Sequence, residues 1–203
     1  MLIIIHRVNK IEQLRKVPKE YGVEIDIRGY GSRLVLTHDP INEKGSYDEL
    51  EDYLKEFAHR FIIFNMKEAG YEQRVIDLAK KYKIENYFLL DVEFPFLYQA
   101  TRKQGFKKIT VRYSEAEPIE YVEAQLKDGE PLLDWVWIDV NTLLPLNENV
   151  IKTLSKFKTC IVCPERWGRP QDIKNYIDQM KKLDFKPDAV MTSEPYVEEW
   201  KRF

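Results

Sequence analysis

Nine short β-rich runs alternating with helical stretches, a four-residue link between two of them, and polar residues gathered where the runs end predict an α/β fold. The expected architecture is a small (β/α)8 TIM barrel with a short hairpin excursion after the second strand. The runs cover residues 2–6, 23–28, 33–37, 61–66, 87–91, 108–113, 134–140, 159–163 and 188–192. The first has no basic region before it and no small-residue cleavage site after it, so it reads as a strand and not as a leader. Only Gly29-Tyr30-Gly31-Ser32 separates the second and third runs, too little for a parallel crossover, which makes that pair hairpin-like. Eight barrel strands remain. Ser46-x-x-Glu49 reads as a capping box ahead of a helix that carries Leu50, Tyr53, Leu54 and Phe57 on one face. Pro95, Pro118 and Pro170 suit first-turn positions, and Gly105 suits a helix stop. Eight strand-helix units at roughly 25 residues each fit a small barrel better than an open doubly wound sheet of five or six strands. No Gly-x-Gly-x-x-Gly or Walker-type loop follows any strand, which argues against a dinucleotide or nucleotide-triphosphate site.

The expected organisation is one domain over residues 1–203. With 32 Lys and Arg against 34 Asp and Glu, the formal net charge is −2, leaving no global drive towards nucleic acid or acidic membranes. No apolar run approaches the roughly 18 residues of a membrane span, and no exposed amphipathic or aromatic loop offers a lipid anchor. Cys160 and Cys163 are three apart on one strand and point to opposite faces, so they read as buried core thiols in a reducing cytoplasm.

In a barrel of this kind the chemistry sits at the carboxyl ends of the strands. Those ends carry His6-Arg7, Glu24-Ile25-Asp26, Thr37-His38-Asp39, Asn65-Met66-Lys67, Asp91, Arg112, Asp139, Glu165-Arg166 and Ser193-Glu194. Glu24 and Asp26 alternate along one strand and face the inner rim, with Val23, Ile25 and Ile27 on the helix-packed side. Two carboxylates so close repel unless a cation or an arginine neutralises them, and Mg2+ or Ca2+ suits an all-oxygen set. His6 and His38 would flank a substrate there, and Arg7 and Lys67 suit a phosphate or carboxylate. Trp135 and Trp137 lead up to Asp139 and read mainly as core, while His59 falls at the amino-terminal end of its strand and reads as a packing residue.

At these residues the sequence resembles the glycerophosphodiester phosphodiesterases, within the phospholipase-C-like phosphodiesterase barrels. The resemblance lies in Ile5-His6-Arg7, Val23-Glu24-Ile25-Asp26-Ile27, Leu34-Val35-Leu36-Thr37-His38-Asp39, Phe64-Asn65-Met66-Lys67 and Val190-Met191-Thr192-Ser193-Glu194-Pro195. It implies a metal-dependent hydrolase of a soluble phosphodiester, glycerol- or sugar-linked. In that reading Glu24 and Asp26 bind Mg2+ or Ca2+, His6 and His38 are general acid and base, and Arg7 with Lys67 hold the phosphate.

Three departures bear on it. Where the family has a third metal-binding Glu, this chain has Asn65, which either weakens the metal site or leaves the role to Asp139 or another rim carboxylate. The family's Pro-Glu-Asn-Thr segment is replaced by Val8-Asn9-Lys10-Ile11-Glu12, and the aromatic segment before the last strand is echoed only by Cys163-Pro164-Glu165-Arg166-Trp167. Two other readings fit the same rim. One is a non-catalytic barrel binding phosphate and metal, which the presence of both histidines opposes. The other is a metal-dependent lyase or isomerase acting on a phosphorylated sugar, with Lys67 or Lys108 available for a Schiff base.

Overall fold

A computed structural model describes residues 1–203. The chain forms two compact units, one of residues Ile4–Leu97 and one of Met1–Ile3 with Tyr98–Phe203. The first contains β1 (Leu2–Ile5, whose first two residues count with the second unit), α1 (Ile11–Leu14), β2 (Gly22–Tyr30) and β3 (Arg33–Leu36). It continues through α2 (Leu50–Glu56), β4 (Phe61–Met66), α3 (Glu72–Lys81), β5 (Tyr87–Leu90) and the start of α4 (Phe94–Gln104). The second contains β6 (Thr110–Tyr113), α5 (Ile119–Glu123), β7 (Leu126–Lys127), β8 (Glu130–Pro131) and β9 (Trp135–Ile138). It ends with α6 (Glu148–Leu154), β10 (Lys158–Val162), α7 (Ile173–Lys182), β11 (Ala189–Thr192) and α8 (Val197–Trp200).

Eight strands are hydrogen-bonded in the order β5-β4-β2-β1-β11-β10-β9-β6, and β3 pairs antiparallel with β2 outside that path. The two strands at the ends of the path, β5 and β6, are consecutive apart from α4, so the order follows the chain around the sheet. This is the strand order of the (β/α)8 TIM barrel, with the expected hairpin after its second strand. Nearly every residue of β4, β5, β9 and β11 is buried, as strands covered on both faces must be, and their sequences are accordingly continuous apolar runs. Among residues 4–97 the core is built on Ile4, Val23, Ile25, Leu36, Phe64 and Phe88. Phe61 meets Phe88 edge-on at 5.6 Å, and Phe64 meets Tyr87 at 5.3 Å. All four tryptophans belong to residues 98–203, where Trp135, Trp137 and Trp200 are buried and Trp167 is exposed.

All nine predicted runs form strands, with ends shifted by a residue or two. In the hairpin, β2 continues two residues further, through Gly29 and Tyr30, and the turn is only Gly31 and Ser32, with Gly31 at φ 58. The capping box at Ser46 does not form. Residues 48 and 49 remain extended because Leu36 donates its N–H to the Asp48 carbonyl at 3.0 Å and Glu49 bridges to Val35, so α2 starts at Leu50. Asp48 instead accepts the Ile11 N–H at 2.6 Å, at the start of α1. Gly105, at φ 68, ends α4 as expected, and Pro95 lies in that helix's first turn. The short β7–β8 hairpin, turning on Asp128 and Gly129 at φ 54 and 86, is an element the periodicity did not suggest. Cys160 and Cys163 are free and buried. No helix is long and apolar enough to cross a membrane.

Candidate active site

The ends of β1, β2 and β4 converge in residues 4–97, and their register sets which side chains meet. Asp26 on β2 is paired with Asn65 on β4, and Ile5 on β1 with Val23 on β2, so residues 6, 24, 26, 65 and 67 share one end. Glu24 and Asp26 have no exposed surface, and neither have Val23 and Ile25 between and beside them. Arg7 takes a left-handed conformation at φ 55, a cost of the order of 1–3 kcal/mol for a residue with a Cβ. The turn aims its backbone N–H at Glu24 Oε2, 2.8 Å away. His6 Nε2 lies 3.9 Å from the same oxygen. The other oxygen, Oε1, accepts from Asn65 Nδ2 at 2.8 Å.

Asp26 is gripped by a residue that sequence reasoning did not single out. Asn9 donates its Nδ2 to Asp26 Oδ2 and accepts the Asp26 backbone N–H on Oδ1, both at 2.8 Å. Lys67 Nζ lies 3.0 Å from Asp26 Oδ1, an ion pair not aligned as a hydrogen bond, and 4.0 Å from Asp91 Oδ2. The Lys67 backbone is pinned by donation to the Ile27 carbonyl at 3.0 Å.

Burial dominates the electrostatics of the pair. Burial first, and the neighbouring Asp26 second, push the Glu24 carboxyl from 4.5 up to about 7 against the pull of Asn65, the Arg7 N–H and Lys67. The buried Tyr53 phenol is pushed well above its ordinary value by desolvation and then by Glu24. Two buried oxygens, Asn65 Oδ1 and Asp26 Oδ1, lack a hydrogen-bond donor. No group of three or more His, Cys, Asp or Glu is arranged to hold a metal. The donor set still fits a hard cation, since two buried carboxylates stand beside an amide oxygen with no partner.

His38 follows β3. Its Nδ1 lies 3.0 Å from Asp39 Oδ1, which places the proton on Nδ1 and leaves Nε2 with a lone pair when the ring is neutral. The Asp39 carboxyl is held below its ordinary value chiefly by that hydrogen bond, with the Arg7 and Arg28 charges adding to it. Arg28, also unforeseen, fixes the His38 backbone: Nη2 donates to the His38 carbonyl and Nη1 to Glu68 Oε1, each at 3.0 Å. Glu68 closes the clamp by accepting the Gly29 N–H at 3.0 Å. His59 donates from Nε2 to the Val17 carbonyl at 2.9 Å and lies against Phe57 with ring centroids 5.7 Å apart.

In the unit of residues 98–203, Asp139 is ion-paired with Arg112 and accepts from Trp137 Nε1 at 3.1 Å. Burial raises its carboxyl while Arg112 lowers it. Nearby in the same unit Glu165 accepts from the Thr192 hydroxyl and from the Ser193 N–H at 3.1 Å. Residues 98–203 therefore carry rim polar groups of their own, among them the buried Glu165 Oε2, which has no hydrogen-bond partner.

Residues 4–97 thus bring a Glu-x-Asp pair, two histidines and a lysine to strand ends of a (β/α)8 barrel. Solved structures agree on the fold. The chain superposes on glycerophosphodiester phosphodiesterase from Agrobacterium tumefaciens str. C58 with a TM-score of 0.64, at 11% identity over 94% of this chain and 96% of that one. A second protein of that organism, assigned as a glycerophosphoryl diester phosphodiesterase, gives 0.66 at 12% identity over 100% and 97%. A glycerophosphoryl diester phosphodiesterase from Parabacteroides distasonis gives 0.60 at 15% over 94% and 81%. No protein-family model matches the sequence, and no curated protein matches it.

Proposed function

We propose that the protein is a divalent-metal phosphodiesterase that hydrolyses a small, soluble phosphodiester with a glycerol or sugar alcohol. The observation that carries this reading is the buried Glu24–Asp26 pair, with His6 3.9 Å from Glu24 and Lys67 3.0 Å from Asp26. The barrel shared with three phosphodiesterase structures supports it at the level of fold.

Glu24, Asp26 and the Asn65 amide oxygen would hold Mg2+ or Ca2+, whose contribution when bound is to neutralise phosphoryl oxygens and so lower the barrier to attack on an anion. Arg7 and Lys67 bind the remaining phosphate charge, Arg by its planar fork and Lys as a point charge. His38 is the base, because its Asp39 contact leaves Nε2 able to take a proton from water or from a neighbouring hydroxyl. His6 is the acid: its Nε2 stands at the same strand end, 3.9 Å from Glu24 Oε2, and in its protonated form releases a proton to the departing alkoxide.

Hydrolysis of bis(p-nitrophenyl) phosphate and a panel of glycerophosphodiesters, with Mg2+, Ca2+, Mn2+ or EDTA, tests the proposal. Metal-dependent turnover is expected, falling about 10²–10⁴-fold in His6→Ala and in His38→Ala, and to background in Glu24→Ala. No turnover with any diester and metal, in a protein that still binds phosphate, would overturn it.

A further inference from the structure

The proposed function asks two tasks of Lys67. Its ammonium is the side-chain cation on buried Asp26, and the same ammonium must reach a substrate phosphate. One position does not serve both. A second carboxylate stands close by. β5 pairs with β4 so that Leu90 is opposite Asn65, and Asp91 follows directly, at φ 60, with its Oδ2 4.0 Å from Lys67 Nζ. A left-handed aspartate at a strand end is strain of the kind that a protein keeps where a side chain must point one way. The two carboxylates differ in environment: the Asp26 side chain is 1% exposed and that of Asp91 28%.

We infer that Lys67 is an exchangeable counter-ion. In the cation-free protein it neutralises Asp26, and when a divalent cation takes the Glu24–Asp26 pair it moves to Asp91, which holds it at the rim for the substrate. Asp91 is thus a positioning residue acting through Lys67. The inference rests on the metal reading above. Three consequences follow from charge alone. Lys67 competes with the cation for Asp26, so it weakens cation binding. Asp91 assists that binding by giving the displaced ammonium a partner. With Lys67 gone, Asp91 no longer acts on the cation site through it, and only the weaker through-space attraction of its carboxylate remains.

Mn2+ binding to the full chain, measured by calorimetry or by the free-ion electron paramagnetic resonance signal, tests this as a double-mutant cycle. Lys67→Gln is expected to bind Mn2+ about tenfold tighter than the parent, and Asp91→Asn roughly three- to tenfold weaker, with Asp91→Glu restored to the parental value. In the Lys67→Gln background, Asp91→Asn is expected to weaken binding clearly less than in the parent. Equal weakening by Asp91→Asn in both backgrounds would make Asp91 a direct ligand and overturn the inference, as would Lys67→Gln binding no tighter than the parent. If neither the parent nor Lys67→Gln binds Mn2+, the metal reading itself falls, and this inference with it. Should Lys67→Gln fail to fold, nuclear magnetic resonance of ¹³C-labelled lysine in the parent and in Asp91→Asn keeps the test. The Lys67 signal must move on addition of Mg2+, and by a different amount without the Asp91 charge; an unmoved signal overturns the exchange.

Discussion

Glu24 meets a backbone N–H, an amide and an imidazole, none of them a permanent cation, so in cation-free protein it keeps a proton that the unfolded chain would lose. Its carboxyl titrates near 7 when folded and near 4.5 when unfolded. Below about pH 4.5 both states are protonated and Glu24 contributes no pH dependence. Between 4.5 and 7 only the unfolded state releases the proton, so stability falls as pH rises, by an amount on the order of 3 kcal/mol, and above 7 it levels off. Urea unfolding in EDTA across this window should show that decline, and Glu24→Gln should flatten it. Asn9 gives a second prediction. Asn9→Ala strips Asp26 of two hydrogen bonds and leaves a buried N–H and a buried carboxylate oxygen bare, which should cost about 1–3 kcal/mol in the same measurement. Glu24 and Asp26 were legible in the sequence because alternation on a strand fixes the face of a side chain. Asn9 was not: its reach to Asp26 depends on the left-handed turn at Arg7, and no spacing rule announces a non-glycine residue at φ 55. Arg28 and Glu68 were hidden for a similar reason, since their clamp depends on how far β2 runs past the expected turn.

β2 is the element on which the candidate site depends, lying between β1 and β4 and also pairing with β3. Gly22 begins it in a tight place: an added Cβ would come 3.0 Å from Phe61 Cβ and 3.1 Å from both Ile4 Cγ1 and the Phe61 carbonyl oxygen, so the neighbours would have to give way. Gly22→Ala should therefore destabilise by about 1–3 kcal/mol, seen as a lowered denaturation midpoint with unchanged slope. At the other end of β2, Arg28→Met should release the His38 backbone and lower turnover of a phosphodiester about tenfold with little change in KM, because the loss is one of positioning. Strands were the readable part of this chain, as apolar β-branched runs that are buried on both faces have few alternatives. Helix starts were less so. The Ser46 signal failed because strand-like pairing of residues 48 and 49 with β3 outcompeted a local cap, a tertiary preference that local spacing does not contain. The β7–β8 hairpin escaped the sequence reading because the strands flanking Asp128-Gly129 are two residues each, too short to register as alternation.

Over the whole molecule positive and negative charges nearly cancel, 32 against 34, and the isoelectric point falls near 6.0. Colloidal repulsion is therefore weakest just below neutrality, and light scattering at low salt should show the strongest self-association near pH 6, easing on either side. The barrel order itself was accessible from chain length and strand count, because eight short units leave little room for another closed α/β arrangement. The division into residues 4–97 and residues 98–203 was not, since nothing in composition marks a boundary at α4. That division meets the distribution of indoles in a way that matters at the bench. With Trp135, Trp137, Trp167 and Trp200 all in one unit, intrinsic tryptophan emission arises from residues 98–203 alone. Glu24, Asp26, His6, His38 and Lys67 belong to the unit without indoles. An indole introduced between positions 4 and 97 would give that unit an emission of its own.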